Sequence, residues 1–210
     1  MEASAPLDEH IQAEPPEWQP HALRLGGRLL CGSITFFFLA FLFAYFYLLA
    51  LNTNGHFRIG STKPPVGWGT AIAGLLLLGA IIYRLAARRP FADVLPGGIV
   101  ALLCTLAAVA LQFYEYTTLH FGAASGGFAA VFFGWTAWYA VLALVGAYWI
   151  ETQVASLVRR QFGASDRRSQ REGVPSDDDE LLRAGIEASS FYWAYFVAIG
   201  VVAFIVLYLV

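Results

Sequence analysis

The sequence predicts an all-α integral membrane protein, a bundle of five transmembrane helices. Three observations carry that prediction. First, 58% of the 210 residues are hydrophobic and only 13% are charged, whereas a soluble domain carries about 25% charged residues. The mean hydropathy is +0.59. Second, five apolar stretches reach, or nearly reach, the roughly 20 residues that a hydrocarbon core of about 30 Å requires. Third, the basic residues lie almost wholly on one side of those stretches. The net charge of −2 offers no reason to expect nucleic acid as a partner.

Residues 1–21 form an acidic tail. Its first twenty residues carry Glu2, Asp8, Glu9, Glu14 and Glu17 without Lys or Arg. A secretory signal needs a basic start and an immediate apolar core, so none is expected here. Pro15, Pro16 and Pro20 predict an extended or disordered segment. The transmembrane domain then occupies 22–210.

The predicted spans are 29–51, 68–85, 94–116, 128–150 and 189–210. The second is the shortest and has room to begin a turn earlier, near Val66. Pro64 and Pro65 stiffen the approach to it, and Pro90 and Pro96 punctuate the turn before the third. In the first span, Tyr45 and Tyr47 fit an interfacial aromatic belt. The inner loop, 151–188, is the one long connection. Its middle, Gly163 to Pro175, is polar and expected to be flexible. Ser176 followed by Asp177, Asp178, Asp179 and Glu180 is a helix-start signature, a capping hydroxyl with acids at the positive end of the dipole.

Eleven of the thirteen basic residues fall before the first span and in the second and fourth connections; only Arg58 and Lys63 fall on the other side. Basic loops stay cytoplasmic, so the N-terminus is expected inside and the C-terminus outside.

Haem held inside a bilayer needs axial ligands on the helices, usually histidine. His10, His21, His56 and His120 all lie outside the apolar middles, and no Cys-x-x-Cys occurs. Cys31 and Cys104 sit within apolar runs and read as small hydrophobes. No cofactor, metal or catalytic residue is therefore expected on this chain. Coupled transport leaves ionisable groups near mid-membrane, and the central thirds of the spans have none.

Glu115 is the residue that stands out. It closes an otherwise uncharged apolar segment, and an ionisable group there is a functional-site candidate. Two placements are open to it: an interfacial anchor, or a side chain turned inward and held by Gln112, Tyr116 or a neighbouring helix. Gln112 and Glu115 are three apart and share a helical face. Two polar groups on one face favour a helix–helix contact.

Leu111-Gln112-x-x-Glu115-Tyr116, the Phe132-Phe133 pair, Glu187-Ala188 and Tyr192-Trp193 follow one another in an order that resembles subunit III of the haem–copper cytochrome c oxidases, in its five-helix bacterial form. Pro64-Pro65-x-Gly67-Trp68 looks like that family's proline-rich lead into a helix, and Gly146 falls at the family's distance after Phe132-Phe133. The chain departs at the family's Ser-Glu pair, here Ser33-Ile34, and at its His-x-x-His pair, here Tyr139 and Leu142. Ala194 and Val197 replace a histidine and an acid in the last helix.

The resemblance implies a bundle of the oxidase subunit III type. It implies a non-catalytic, cofactor-free subunit in a bacterial inner membrane, with a cytoplasmic N-terminus and periplasmic C-terminus. Haem and copper would sit in partner subunits, chiefly subunit I, and phospholipids would lie between the helices. Gln112 and Glu115 would form the buried polar contact, Tyr116 would join them as a structural, lipid or subunit contact, and Glu187, Tyr192 and Trp193 would fix the last helix at the inner interface. The complex would reduce oxygen with electrons from cytochrome c or quinol, with proton pumping. Two other readings stand beside this one: an accessory subunit of a nitric oxide reductase, and an unrelated small transporter or scaffold.

Overall fold

The structure is a computed structural model that describes residues 18–53, 55–58, 62–162 and 177–210. These residues contain five long helices and no strand: α1 (Gln19–Ala50), α2 (Val66–Ala86), α3 (Phe91–Thr118), α4 (Gly127–Phe162) and α5 (Asp177–Phe204), the last followed by a π-helical turn at Ile205–Leu209. All five are long and apolar enough to cross a membrane.

The helices outrun the apolar stretches, chiefly at the arginine-bearing end. α1 begins at Gln19, so the boundary expected after residue 21 falls inside a helix. α4 continues to Phe162 and α5 starts at Asp177, so both flanks of the expected loop 151–188 are helical. The physical reason is simple. Hydropathy marks the slab that excludes water, whereas a helix continues wherever its own hydrogen bonds and propensity hold. The predicted cap at Ser176 and the segment Gly163–Pro175 lie outside the described residues. Pro96 lies within α3, not in the turn before it. Near a helix start this proline sacrifices one backbone hydrogen bond without ending the helix.

α2, α3, α4 and α5 form a ring, each packing on the next, and α5 closes it against α2. α1 lies outside the ring, against α4 and α5. α1 and α2 each pack on α5 but scarcely on one another, which leaves a groove floored by α5. Aromatic rings fill the seam between α1, α4 and α5. Phe38 of α1 stacks on Trp135, and Tyr139 stacks on Phe196 with centroids 4.3 Å apart.

Tyr45 corrects the expectation of an interfacial belt residue. It is 1% exposed, edge-on to Phe57 and Phe128, and its hydroxyl accepts from Arg58 Nη2 at 3.4 Å. The loop after α1 folds back over it, so a residue near a span end becomes core. Tyr47, on the other face of α1, is 52% exposed as expected.

Candidate interhelical site

The C-terminal turns of α3 bring Gln112 and Glu115 onto the face that looks into the ring. Glu115 is completely buried and Gln112 nearly so. Gln112 Nε2 donates to Glu115 Oε2 at 2.8 Å. The second donor to the same oxygen is the hydroxyl of Tyr208, at 2.7 Å, in the π-helical turn after α5. α3 and α5 are opposite members of the ring, so this carboxyl links helices that do not otherwise pack closely. Of the two placements open to Glu115, the structure adopts the inward one. Glu115 Oε1 has no hydrogen-bond partner among the described residues.

The seat for Tyr208 is made by Gly69 of α2. A Cβ there would lie 2.6 Å from the tyrosine ring, so only glycine lets α2 and that ring come so close. The ring also meets Phe132 edge-on, with centroids 5.7 Å apart. Beside the site, Gln112, Trp135, Thr136, Tyr139, Gly200 and Tyr208 line part of a cavity of about 40 Å³. A buried water needs at least ~10–15 Å³, so the space is large enough for water.

Tyr116 does not reach the carboxyl. The hydroxyl of Thr136 donates to Phe132 O at 2.7 Å, so the single proton of Tyr116 goes to Thr136 Oγ1, also at 2.7 Å. Tyr116 therefore ties α3 to α4, one side of the ring, rather than completing the Gln112–Glu115 pair.

Glu187, Tyr192 and Trp193 sit at the other end of the bundle and act separately. The Glu187 carboxylate is half-exposed and accepts from Arg24 Nε of α1 at 2.9 Å. Tyr192 and Trp193 are buried. Trp193 lies against Gly146 of α4, where a Cβ would come within 2.6 Å of its ring. Tyr192 packs against Trp149 at 5.6 Å.

The same stretch of α5 carries contacts that sequence reasoning missed. Tyr83 of α2 meets Ser189 at 2.8 Å, and Arg84 Nη1 donates to Ser190 Oγ at 3.0 Å. Arg183 Nη1 donates to the carbonyls of Ala87 and Arg89 at 3.3 and 2.9 Å, neutralising the C-terminal end of α2. Topology was the one signal available for Tyr208. In an antiparallel five-helix chain, the ends of the third and fifth spans lie on the same side.

His21, His56 and His120 are exposed, and no cluster of three or more His, Cys, Asp or Glu suited to a metal occurs among the described residues. The polar interior is thus a set of interhelical fastenings: one carboxyl across the ring, hydroxyl pairs along its sides, and arginines at one end. No protein-family model matches the chain, and no curated protein matches it.

Proposed function

We propose that the chain is a non-catalytic membrane subunit of the oxidase subunit III kind, which stabilises the haem- and copper-bearing subunit of a bacterial terminal oxidase. One observation carries the reading. Most of the residues that bear the resemblance are those that hold the helices to one another. Gln112 and Glu115 join α3 to Tyr208 in the turn after α5, and Phe132 packs on that tyrosine. Glu187 pairs with α1, and Ala188, Tyr192 and Trp193 are buried against neighbouring helices. A motif scattered along the sequence but gathered at helix contacts specifies an architecture, which is what a structural subunit conserves. The chain would lie with its arginine-bearing end in the cytoplasm and Val210 in the periplasm.

In this role the oxygen chemistry and the electron donor belong to the complex, and this chain offers an apolar outer surface to its partner. Purification from native membranes in mild detergent tests the proposal. A haem-containing partner that reduces oxygen should co-purify at fixed stoichiometry, and the separated chain should show no haem Soret band. Isolation without any haem protein, or with a partner that reduces nitric oxide instead, would overturn the oxidase assignment. Ser169→Cys should be labelled from the cytoplasmic side; periplasmic labelling would reverse the orientation.

A further inference from the structure

At the arginine-bearing end, α1, α2 and α5 border an open cleft of about 570 Å³. α1 and α5 meet beside it, where a Cβ on Gly27 would lie 3.1 Å from that of Ala188. Five guanidinium groups line the cleft: Arg24 and Arg28 of α1, Arg84 of α2, Arg88 in the turn after α2, and Arg183 of α5. Glu187 is the one carboxylate among the lining residues, and five against one leaves four positive charges unbalanced. Arg24 pairs with Glu187, Arg84 donates to Ser190, and Arg183 donates to carbonyls after α2. Arg28 and Arg88 are exposed, with no ion pair or side-chain hydrogen bond to any described residue.

The complementary charge lies next to the cleft in the chain. Residues 1–17 are outside the described residues, but their composition and their tether are known. They carry Glu2, Asp8, Glu9, Glu14 and Glu17 and no Lys or Arg. They join the chain just before Trp18, the N-cap of α1, at the cleft's own end of the bundle. Arg24 and Arg28 stand six and ten residues beyond Trp18, about 9 and 15 Å along a helix that rises 1.5 Å per residue. An extended chain spans at most about 3.3–3.6 Å per residue, so Glu14 reaches back about 13 Å from Trp18, and Asp8 and Glu9 about 30 Å. These three acids are thus within range of the arginines without any movement of the helices.

We propose that the acidic segment, residues 2–17, folds back and seats in the arginine cleft, with its carboxylates on Arg28 and Arg88. Guanidinium forks take carboxylates bidentately, and these two arginines are the ones whose donors have no other use within the described residues. A short covalent tether holds the segment near the cleft at an effective concentration on the order of mM. A separate acidic partner at lower concentration is therefore at a disadvantage. Seated there, the segment balances the charge of the cleft and closes it to other anions. The contact lies at the opposite end of the bundle from Glu115. It does not depend on the oxidase reading, because it needs no second protein.

The test is photo-cross-linking of the full chain in a non-ionic detergent, with benzoylphenylalanine in place of Ile11 and the products mapped by mass spectrometry. Cross-links within one chain should fall on the cleft-lining parts of α1, α2 and α5. They should fade as salt is raised, since exposed charges are screened beyond a Debye length. Arg28→Gln/Arg88→Gln should lower their yield roughly fivefold, the scale of two exposed ion pairs. Asp8→Asn/Glu9→Gln should lower it by a similar factor. Arg159→Gln, an exposed site on α4 at the same end but outside the cleft, should leave the yield unchanged. Cross-links that fall on α4 instead, that form only between two copies, or that persist at high salt would overturn the proposal. So would a loss in Arg159→Gln as large as that in the arginine double variant. If that double variant fails to fold, the Asp8→Asn/Glu9→Gln variant decides, and an undiminished yield there refutes the contact.

Discussion

The two ends of α5 solve the same problem in opposite ways. At the arginine-bearing end the Glu187 carboxylate is half-exposed and meets a charge, that of Arg24, with side chains 46% and 31% exposed. At the far end, Tyr208 meets a carboxyl with no exposure at all, and that carboxyl's other partner is a neutral amide. An exposed ion pair contributes about 0–1 kcal/mol because solvent screens it. A buried donor stripped of its acceptor costs roughly 1–3 kcal/mol, because nothing replaces the bond. The end with less charge is therefore expected to hold the bundle more firmly.

Substitutions that treat the two ends differently test that contrast. The largest effect is expected from Glu115→Ala, which leaves the Gln112 amide and the Tyr208 hydroxyl without an acceptor. The loss should be roughly 1–3 kcal/mol for each stranded donor, read as reduced thermal stability in detergent. Glu115→Gln keeps an acceptor oxygen and should lose clearly less. If both variants melt with the parent, the carboxyl does not fasten α3 to α5.

Gly69→Val comes next. Its side chain would occupy the space of the Tyr208 ring and should cost about 1–3 kcal/mol, the usual range for an overpacked contact. A variant as stable as the parent would mean that the ring is not seated against α2.

Tyr208→Phe keeps the ring and deletes one donor, for an expected loss of about 0.5–1.5 kcal/mol. Tyr83→Phe makes the matching deletion at the other end. There the group left behind is a neutral hydroxyl that still donates to Ile186 O at 3.1 Å, whereas Tyr208→Phe takes a donor from a fully buried carboxyl. The Tyr83 variant should therefore be the milder of the two, and the reverse order would break the comparison.

The smallest effect is expected from Glu187→Gln, under about 1 kcal/mol. The difference from the parent should shrink as salt is added, since exposed pairs are screened within a Debye length of about 8–10 Å. A loss that exceeds that of Tyr208→Phe and ignores salt would show that the arginine-bearing end is the stronger.

Half of the Glu115 site was legible before any coordinates. Gln112 and Glu115 are three residues apart, and a helix puts such residues on one face whatever surrounds it. Their inward direction was favoured by the cost of two polar groups against lipid, but an interfacial placement stayed open until the structure placed Glu115 inside. Tyr208 lies 93 residues from Glu115, and no local periodicity encodes a contact at that range. Tyr116 shows the converse. It adjoins Glu115 in sequence, yet the helical turn points it at α4 and Thr136. The links at Tyr83, Arg84 and Arg183 were hidden for the same reason as Tyr208, since each joins α2 or its C-terminal end to α5.

By itself, then, the sequence determined what depends on composition and short range. That covers five apolar helices, their order, the concentration of arginines at one end, and a polar pair on one face of α3. Hydropathy and helical period act within a few residues, so these properties survive without knowledge of the neighbours. Tertiary structure alone decided the ring of α2 to α5 with α1 outside it, the burial of Tyr45 beneath its own loop, and the choice of Tyr208 as the partner of Glu115. It also decided that five arginines, from α1, the end of α2 with the turn after it, and α5, line one cleft. Each of these depends on which helix faces come together. That is set by the summed fit of side chains across the whole bundle, as where Gly69 admits the Tyr208 ring.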